Sequence, residues 1–392
     1  MPNDTWTIKR CLDWTRDYLR DKGDERPRLS AEWLLSGVTG LSRTELYMSF
    51  DRPLAADELA SMHSAVVRRA KGEPLQYITG ETDFRLITVA CEPGVLIPRP
   101  ETELLVEEVL AFLDREVFAG DAAPVRERKE LPWNAEVEAA RQAELAAAAK
   151  KAAEEASVPE HVSASDKDEE RGGVDAVTDD VVASGPLTER GDRGASSLGV
   201  ASDARVDTDG DCEQEEARTA RVLEVGCGTG CISLSLAYER KGRVTCVATD
   251  IEPRAVDLSM RNRDALGLMP DDVDIRLGNL VSPLDRETEW GTFDVLVSNP
   301  PYIPSGVMKT LPREVSAFEP GLALDGGVDG LDIFRRLVNA APYMLRPGGL
   351  LACELYEGHL DAAAELCRNA GMHDVRVVND LTNRPRMIFA RV

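Results

Sequence analysis

Residues 221–230 read Arg221-Val-Leu-Glu-Val-Gly-Cys-Gly-Thr-Gly230, a short apolar run that ends in three glycines at alternate positions. The run Arg221 to Val225 predicts a strand, and a helix should open near Gly230. Glycines spaced in this way let the backbone turn tightly and approach a ligand, because no Cβ stands between them. A second strand is expected over Arg243 to Thr249. It is followed by Asp250, 20 residues after Gly230, the separation at which an acidic side chain reaches ribose hydroxyls. A dinucleotide fingerprint would need a further glycine at position 231 or 233, and those are Cys231 and Ser233, so no pyrophosphate cradle is supplied. Further apolar runs lie at Val273 to Leu277, Phe293 to Ser298, Leu350 to Leu355, Asp374 to Val378 and Met387 to Ala390, with helical stretches beginning near Pro253, Leu331 and His359. This alternation predicts an α/β domain: a mainly parallel seven-stranded sheet, helices on both faces, and a ligand at the carboxyl ends of the strands.

The glycine turn and its acidic partners resemble the S-adenosylmethionine (SAM) turn of Rossmann-like methyltransferases. The resemblance implies that Gly226, Cys227, Gly228 and Gly230 hold the cofactor, with Glu224 facing its methionine moiety. Asp250, with Ile251 beside it, would face the ribose. Asn279 and Leu280, just after the third strand, would lie beside the adenine.

The fourth strand, Phe293 to Ser298, runs into Asn299-Pro300-Pro301-Tyr302. Asn-Pro is common turn chemistry, but here it sits at the carboxyl end of a strand that faces the expected cofactor, where reacting groups belong. An amide or aromatic amine nitrogen has a delocalised lone pair, so a site that methylates it must hold both N–H groups and aim the nitrogen. The Asn299 side-chain oxygen and the Pro300 carbonyl can each accept one N–H, and the prolines keep the carbonyls rigid. Tyr302 can stack on the flat group. Positioning of this kind needs no general base, since effective molarities reach ~10⁵ M or more. That suits a chain with four histidines, none near these motifs.

Composition bounds the rest. Of 392 residues 43% are hydrophobic and the net charge is −24. No apolar run approaches the ~20 residues of a bilayer span. The first residues lack the apolar core of a signal peptide, so a cytoplasmic location and reduced thiols are expected for the eight cysteines. They form no CxxC pair and no metal site is expected. The acidity disfavours direct binding to nucleic acid. It is concentrated between Asp121 and Arg218, where 25 acidic face 12 basic residues and Trp133 is the one aromatic. Such a stretch buries too little apolar surface to offset its ordering entropy, so residues from about 118 to 218 read as a disordered insert without a catalytic role. Within it, Ala135 to Ala156 is rich in helix formers and reads as a solvated helix. Before the insert, residues 1–75 show helical spacing at Trp6, Ile8, Leu12 and Trp14, at Leu29, Trp33, Leu34 and Val38, and at Leu54, Leu59, Met62, Val66 and Val67. They predict a small helical bundle. Residues 76–100 alternate around Gly80 and Pro93 and predict a β-hairpin connector. Residues 101–392, less the insert, form the catalytic domain.

Two enzyme classes share the Asn-Pro-Pro-Tyr signature: adenine N6-methyltransferases of nucleic acid and glutamine N5-methyltransferases of protein. Other segments choose between them. Gly72-Glu-Pro-Leu-Gln-Tyr-Ile-Thr-Gly80 and Val95-Leu-Ile-Pro-Arg-Pro-Glu-Thr-Glu103, with Phe318-Glu-Pro320, Leu322-Ala-Leu324, Gly326-Gly327 and Asp329-Gly-Leu331 downstream, closely resemble the release factor glutamine methyltransferase family (PrmC/HemK). Arg346-Pro-Gly-Gly349 is general to methyltransferases. The resemblance covers nearly the whole chain outside the insert. It implies SAM-dependent methylation of the side-chain amide of the glutamine in the GGQ loop of class I peptide chain release factors. The catalytic and acceptor-holding residues would be Asn299, Pro300, Pro301 and Tyr302, with Asn299 also bordering the cofactor. The helical domain would dock the release factor, the enzyme acting as a monomer. Arg99 and Glu101 could line the glutamine channel or form an ion pair at the domain junction. A ribosomal protein glutamine is the nearest alternative acceptor, and adenine a more distant one. Two positions depart from the family pattern. Glu224 stands where Asp is commoner, and Asn279 where an acid is more usual.

Overall fold

The computed structural model describes residues 5–119 and 218–392. The expectation of disorder over about 118–218 falls outside them except at its edges, where Phe118 is buried instead, and the solvated helix over 135–156 lies wholly outside them. The first helix, α1 (Ile8–Asp21), starts where the Thr7 hydroxyl accepts the Arg10 N–H at 3.3 Å. α2 (Pro27–Thr39) opens on proline and stops at Gly40, whose φ of +69° ends the helix. With α3 (Arg43–Met48), α4 (Ala56–Ala70) and α5 (Leu75–Thr79) they close a core of Ile8, Leu12, Leu34, Met62 and Val66. Trp14 fits the inward spacing but lies 46% exposed on the outer face, stacked on Tyr18 at 5.0 Å.

The connector differs from the reading of residues 76–100. Gln76, Tyr77 and Ile78 belong to α5, which ends at Gly80 with φ +87°. The hairpin is shorter, β1 (Glu81–Phe84) against β2 (Ile87–Ala90), and turns at Arg85-Leu86. Arg85 is held at that turn by Glu239 (2.6 Å) and Glu107 (2.7 Å), while Asn262 accepts the Ala90 N–H at 2.9 Å and donates to the Thr229 carbonyl at 2.9 Å. One buried amide thus fastens the hairpin to the glycine turn. Next comes α6 (Pro100–Phe112), absent from the sequence reading, whose Leu105, Val106 and Val109 are fully buried.

All seven expected strands are present: β3 (Ala220–Val225), β4 (Val244–Asp250), β5 (Val273–Leu277), β6 (Phe293–Ser298), β7 (Leu345–Glu354), β8 (His373–Asn379) and β9 (Pro385–Arg391). Their order is β5-β4-β3-β6-β7-β9-β8, parallel through β7 and antiparallel at β9 and β8. The helices α7 (Cys231–Glu239), α8 (Pro253–Ala265), α9 (Asp332–Met344) and α10 (Leu360–Asn369) begin where the sequence predicts. One face of the sheet packs on Leu105, Val109, Leu234 and Val256, the other on Phe334, Leu337, Ala363 and Cys367. Every residue of β6 is buried, Asp294 and Ser298 included, which is why its centre, Val295-Leu-Val297, is apolar without alternation. Among the described residues no helix is long and apolar enough to cross a membrane, and no cluster of side chains could hold a metal.

The chain leaves the described region and returns to it at neighbouring places. The Arg243 guanidinium lies 4.0 Å over the Phe118 ring, and the Arg243 carbonyl accepts the Ala220 N–H at 2.8 Å.

Candidate active site

The carboxyl ends of β3, β4, β5 and β6 open on one cavity of about 310 Å³. The glycine turn forms its floor through Gly226, Cys227 and Gly228. Asp250, Ile251, Asn279 and Leu280 form one wall, and Asn299, Pro300 and Pro301 the other. Residues 94–99 and Thr102 close it from the connector side. Glu224 and Arg99 also reach it. Three expected site residues do not line it: Gly230, Glu101 and Tyr302. Gly230 caps α7 at φ +82°, and a Cβ there would stand 2.3 Å from the Ser259 Oγ, so the close packing of α7 and α8 requires glycine at that position.

The two acids of the turn are differently held. Glu224 is 1% exposed. Its Oε2 accepts the Ser233 N–H at 2.9 Å and the Ser233 hydroxyl, while Oε1 is buried with no hydrogen-bond partner. Burial pushes this carboxyl up to about 8, against the two Ser233 bonds. Asp250 accepts the N–H groups of Gly228 and Glu252, each at 2.9 Å, and burial raises it too. The Cys227 and Cys231 thiols are raised by burial and stay protonated.

These features fit SAM and disfavour a phosphate ligand. The Gly228 N–H that a phosphate would need is given to Asp250. Both arginines at the cavity are engaged, Arg99 with Glu319 and Arg336 with the Asn279 Oδ1 at 3.0 Å. A cavity lined by four acids, Glu224, Asp250, Glu252 and Asp325, the first carrying an unpartnered oxygen, suits a ligand with cationic groups. Apolar Val95, Leu280 and Ile333 on its walls suit a flat base. Asn279, the departure from the acidic pattern, meets an arginine, so an amide oxygen there still has a donor.

The tetrapeptide is braced from three directions. The Ser298 hydroxyl donates to the Val225 carbonyl at 2.6 Å and ties β6 to β3. Behind it the downstream glycines pack against its backbone. A Cβ at Gly326 would stand 2.7 Å from the Pro301 oxygen, and one at Gly330 would stand 2.5 Å from the Tyr302 oxygen. Ile303 exchanges backbone bonds with Leu324 and Gly326 at 2.9 and 2.8 Å, which explains why the sequence block at 322–331 accompanies the tetrapeptide. On the third side, the Asn299 Nδ2 donates to the Thr102 Oγ1 at 3.1 Å, and Thr102 donates to the Glu354 Oε2 at 2.7 Å. The Tyr302 hydroxyl lies 3.4 Å from the Glu354 Oε1. Thr102 and Glu354 were not singled out by sequence. Thr102 lay inside a quoted motif, but Glu354 carries no local signal.

Arg99 grips both oxygens of Glu319, at 2.7 and 2.6 Å. The ion pair at the junction is therefore formed, and it ties the connector to the loop after the tetrapeptide. Glu101 lies outside the cavity, and its charge bears on Tyr302 and Glu354.

Comparison with known proteins agrees with this geometry. The PrmC N-terminal domain family matches residues 10–80, and the methyltransferase small domain family matches residues 195–311. A release factor glutamine methyltransferase of Geobacter sulfurreducens is 32% identical over 99% of this chain and 97% of its own length. One from Chlorobaculum tepidum is 30% identical over 98% of each. The chain belongs to the release factor glutamine methyltransferase family. It is a SAM-dependent methyltransferase. Among solved structures, that of a methyltransferase from Pyrococcus furiosus is similar over 44% of this chain and 76% of its own, at 21% identity and a TM-score of 0.33.

Proposed function

We propose that this enzyme methylates the side-chain amide nitrogen of the glutamine in the GGQ loop of class I peptide chain release factors. The observation that carries the reading is the Asn299 amide. It spends its Nδ2 on Thr102 at 3.1 Å, which leaves Oδ1 to accept from an incoming N–H. With the Pro300 carbonyl, Oδ1 forms a pair of acceptors for the two hydrogens of a primary amide. Bound SAM would supply an electrophilic methyl group. Glu224, the glycine turn at 226–228, Asp250, Ile251, Asn279 and Leu280 would hold it, and Asn299 would border it. The chain's own contribution is positioning: two oxygens hold the amide and Pro301 stiffens the turn, while Tyr302, outside the cavity, backs the tetrapeptide from the Glu354 side. No residue at the cavity need act as a general base, and both cysteine thiols there remain protonated.

In this reading residues 1–75 dock the release factor, 76–100 connect, and 101–392 carry the chemistry around the segment at 118–218. The enzyme acts as a monomer in the cytoplasm, where release factors work, without binding nucleic acid directly.

The test is incubation of the purified chain with labelled SAM and, separately, a release factor, ribosomal proteins and DNA. Label is expected on the release factor and lost when the GGQ glutamine is replaced. Label on ribosomal protein alone would move the acceptor. Label on DNA alone would overturn the reading.

A further inference from the structure

We infer that Glu354 is a positioning residue for the methyl acceptor: through the Thr102 hydroxyl it fixes which end of the Asn299 amide faces the cavity. The inference rests on the proposed amide acceptor and deepens it.

A carboxamide has a donor end and an acceptor end of nearly the same shape. If Asn299 were turned over, its NH2 would face the substrate NH2, donor against donor. Something must prevent this, and the Thr102 hydroxyl is the group in contact. A hydroxyl has one proton. A carboxylate has none, so at 2.7 Å from Glu354 that proton goes to the carboxylate. The Thr102 oxygen is then an acceptor only, and Asn299 must present Nδ2 to it. The chain of bonds runs one way, from Asn299 to Thr102 to Glu354, whenever its last member is ionised.

Backbone topology puts Glu354 there. It ends β7, which pairs with β6 up to Ser298 opposite Cys353, so it stands beside the start of the tetrapeptide. Its second oxygen faces the Tyr302 hydroxyl at 3.4 Å. One carboxylate therefore addresses both ends of the tetrapeptide. Four titratable groups face it: Arg386 of β9, Glu101 of α6, Tyr302, and Cys231 of α7. Burial outweighs Arg386 and the Thr102 bond and leaves the carboxyl at about 7. Protonated Glu354 could donate to Thr102 and free the amide to turn.

Thr102→Val, Thr102→Ser and Glu354→Gln in the full chain test the assignment, with kcat and KM for a release factor, SAM affinity by calorimetry and Tm. Thr102→Val should lose kcat by about 10- to 100-fold while SAM affinity stays within about twofold. Thr102→Ser, which keeps the hydroxyl, should restore most of it. Wild-type kcat at saturating SAM should rise through about pH 7, and Glu354→Gln should lower and flatten that rise. Wild-type kcat retained in Thr102→Val and Glu354→Gln would overturn the inference, as would equal losses of kcat and SAM affinity. Should Glu354→Gln fail to fold, Thr102→Val decides. A substrate-free readout separates this inference from the proposed acceptor. The Asn299 side-chain ¹⁵N resonance, assigned by its absence in Asn299→Ala, should titrate near pH 7 in the wild type and not in Glu354→Gln. Titration without any labelling of release factor would sustain the positioning role and sink the acceptor. No titration beside normal labelling would do the reverse.

Discussion

At the residue scale, the cavity joins one side chain that would meet the acceptor to another whose burial is costly. Asn299→Ala removes an acceptor used by the substrate, so kcat should fall by about 100-fold or more with SAM affinity within about threefold. A parallel loss of both would contradict the role. Glu224 gives a pH prediction. In the unfolded chain its carboxyl ionises near the ordinary 4.5, in the folded chain at about 8. Between those values the folded state binds more protons, so its stability falls as pH rises. Glu224→Gln keeps a neutral partner for Ser233 and removes the titration. It should raise the Tm of cofactor-free protein at pH 8.5 by about 2–6 °C and leave it unchanged at pH 5, while weakening SAM binding. Identical Tm-against-pH slopes in the two proteins would refute the assignment. The glycine turn and the tetrapeptide were legible in sequence because each is contiguous and chemically distinctive. Glu354 was not, because its bond to Thr102 joins residues 252 positions apart, and one acid among 70 acidic residues carries no mark of burial.

Elements were legible where periodicity was strong. β6 showed through its β-branched and aliphatic centre, Val295-Leu-Val297, and β3 to β5 ended where a ligand-facing turn began. The connector misled because Tyr77 and Ile78 are β-formers placed before a glycine, and that glycine caps α5 instead of turning a hairpin. Tertiary context decided: the Tyr77 hydroxyl donates to the Val95 carbonyl at 2.7 Å and fixes the short helix against the connector. Arg99 and Glu319 bind connector to loop, with Glu319 7% exposed. Breaking the pair strands a buried carboxylate. Arg99→Ala should cost about 1–2 kcal/mol of stability, and Glu319→Gln in the same chain should recover part of it. If Arg99 also meets the substrate, KM for the release factor will stay high in the double variant. If it serves only the ion pair, KM will return towards wild type.

Over the whole molecule, a chain of net charge −24 carries more than half of that charge in a stretch outside the described residues. The sequence reading gave that stretch no catalytic role. Replacing residues 121–216 by a short glycine-serine linker should leave kcat within about twofold and Tm within about 3 °C. Collapse of SAM binding would show that the stretch takes part in the site. The contacts of Arg243 give this prediction its geometry, since its guanidinium covers Phe118 and its carbonyl binds Ala220. A gap of nearly a hundred positions along the polymer is thus bridged in space by a single arginine. Any cargo whose own termini lie close together, a fluorescent protein or an affinity handle, could be spliced in at that seam without prising apart the sheet.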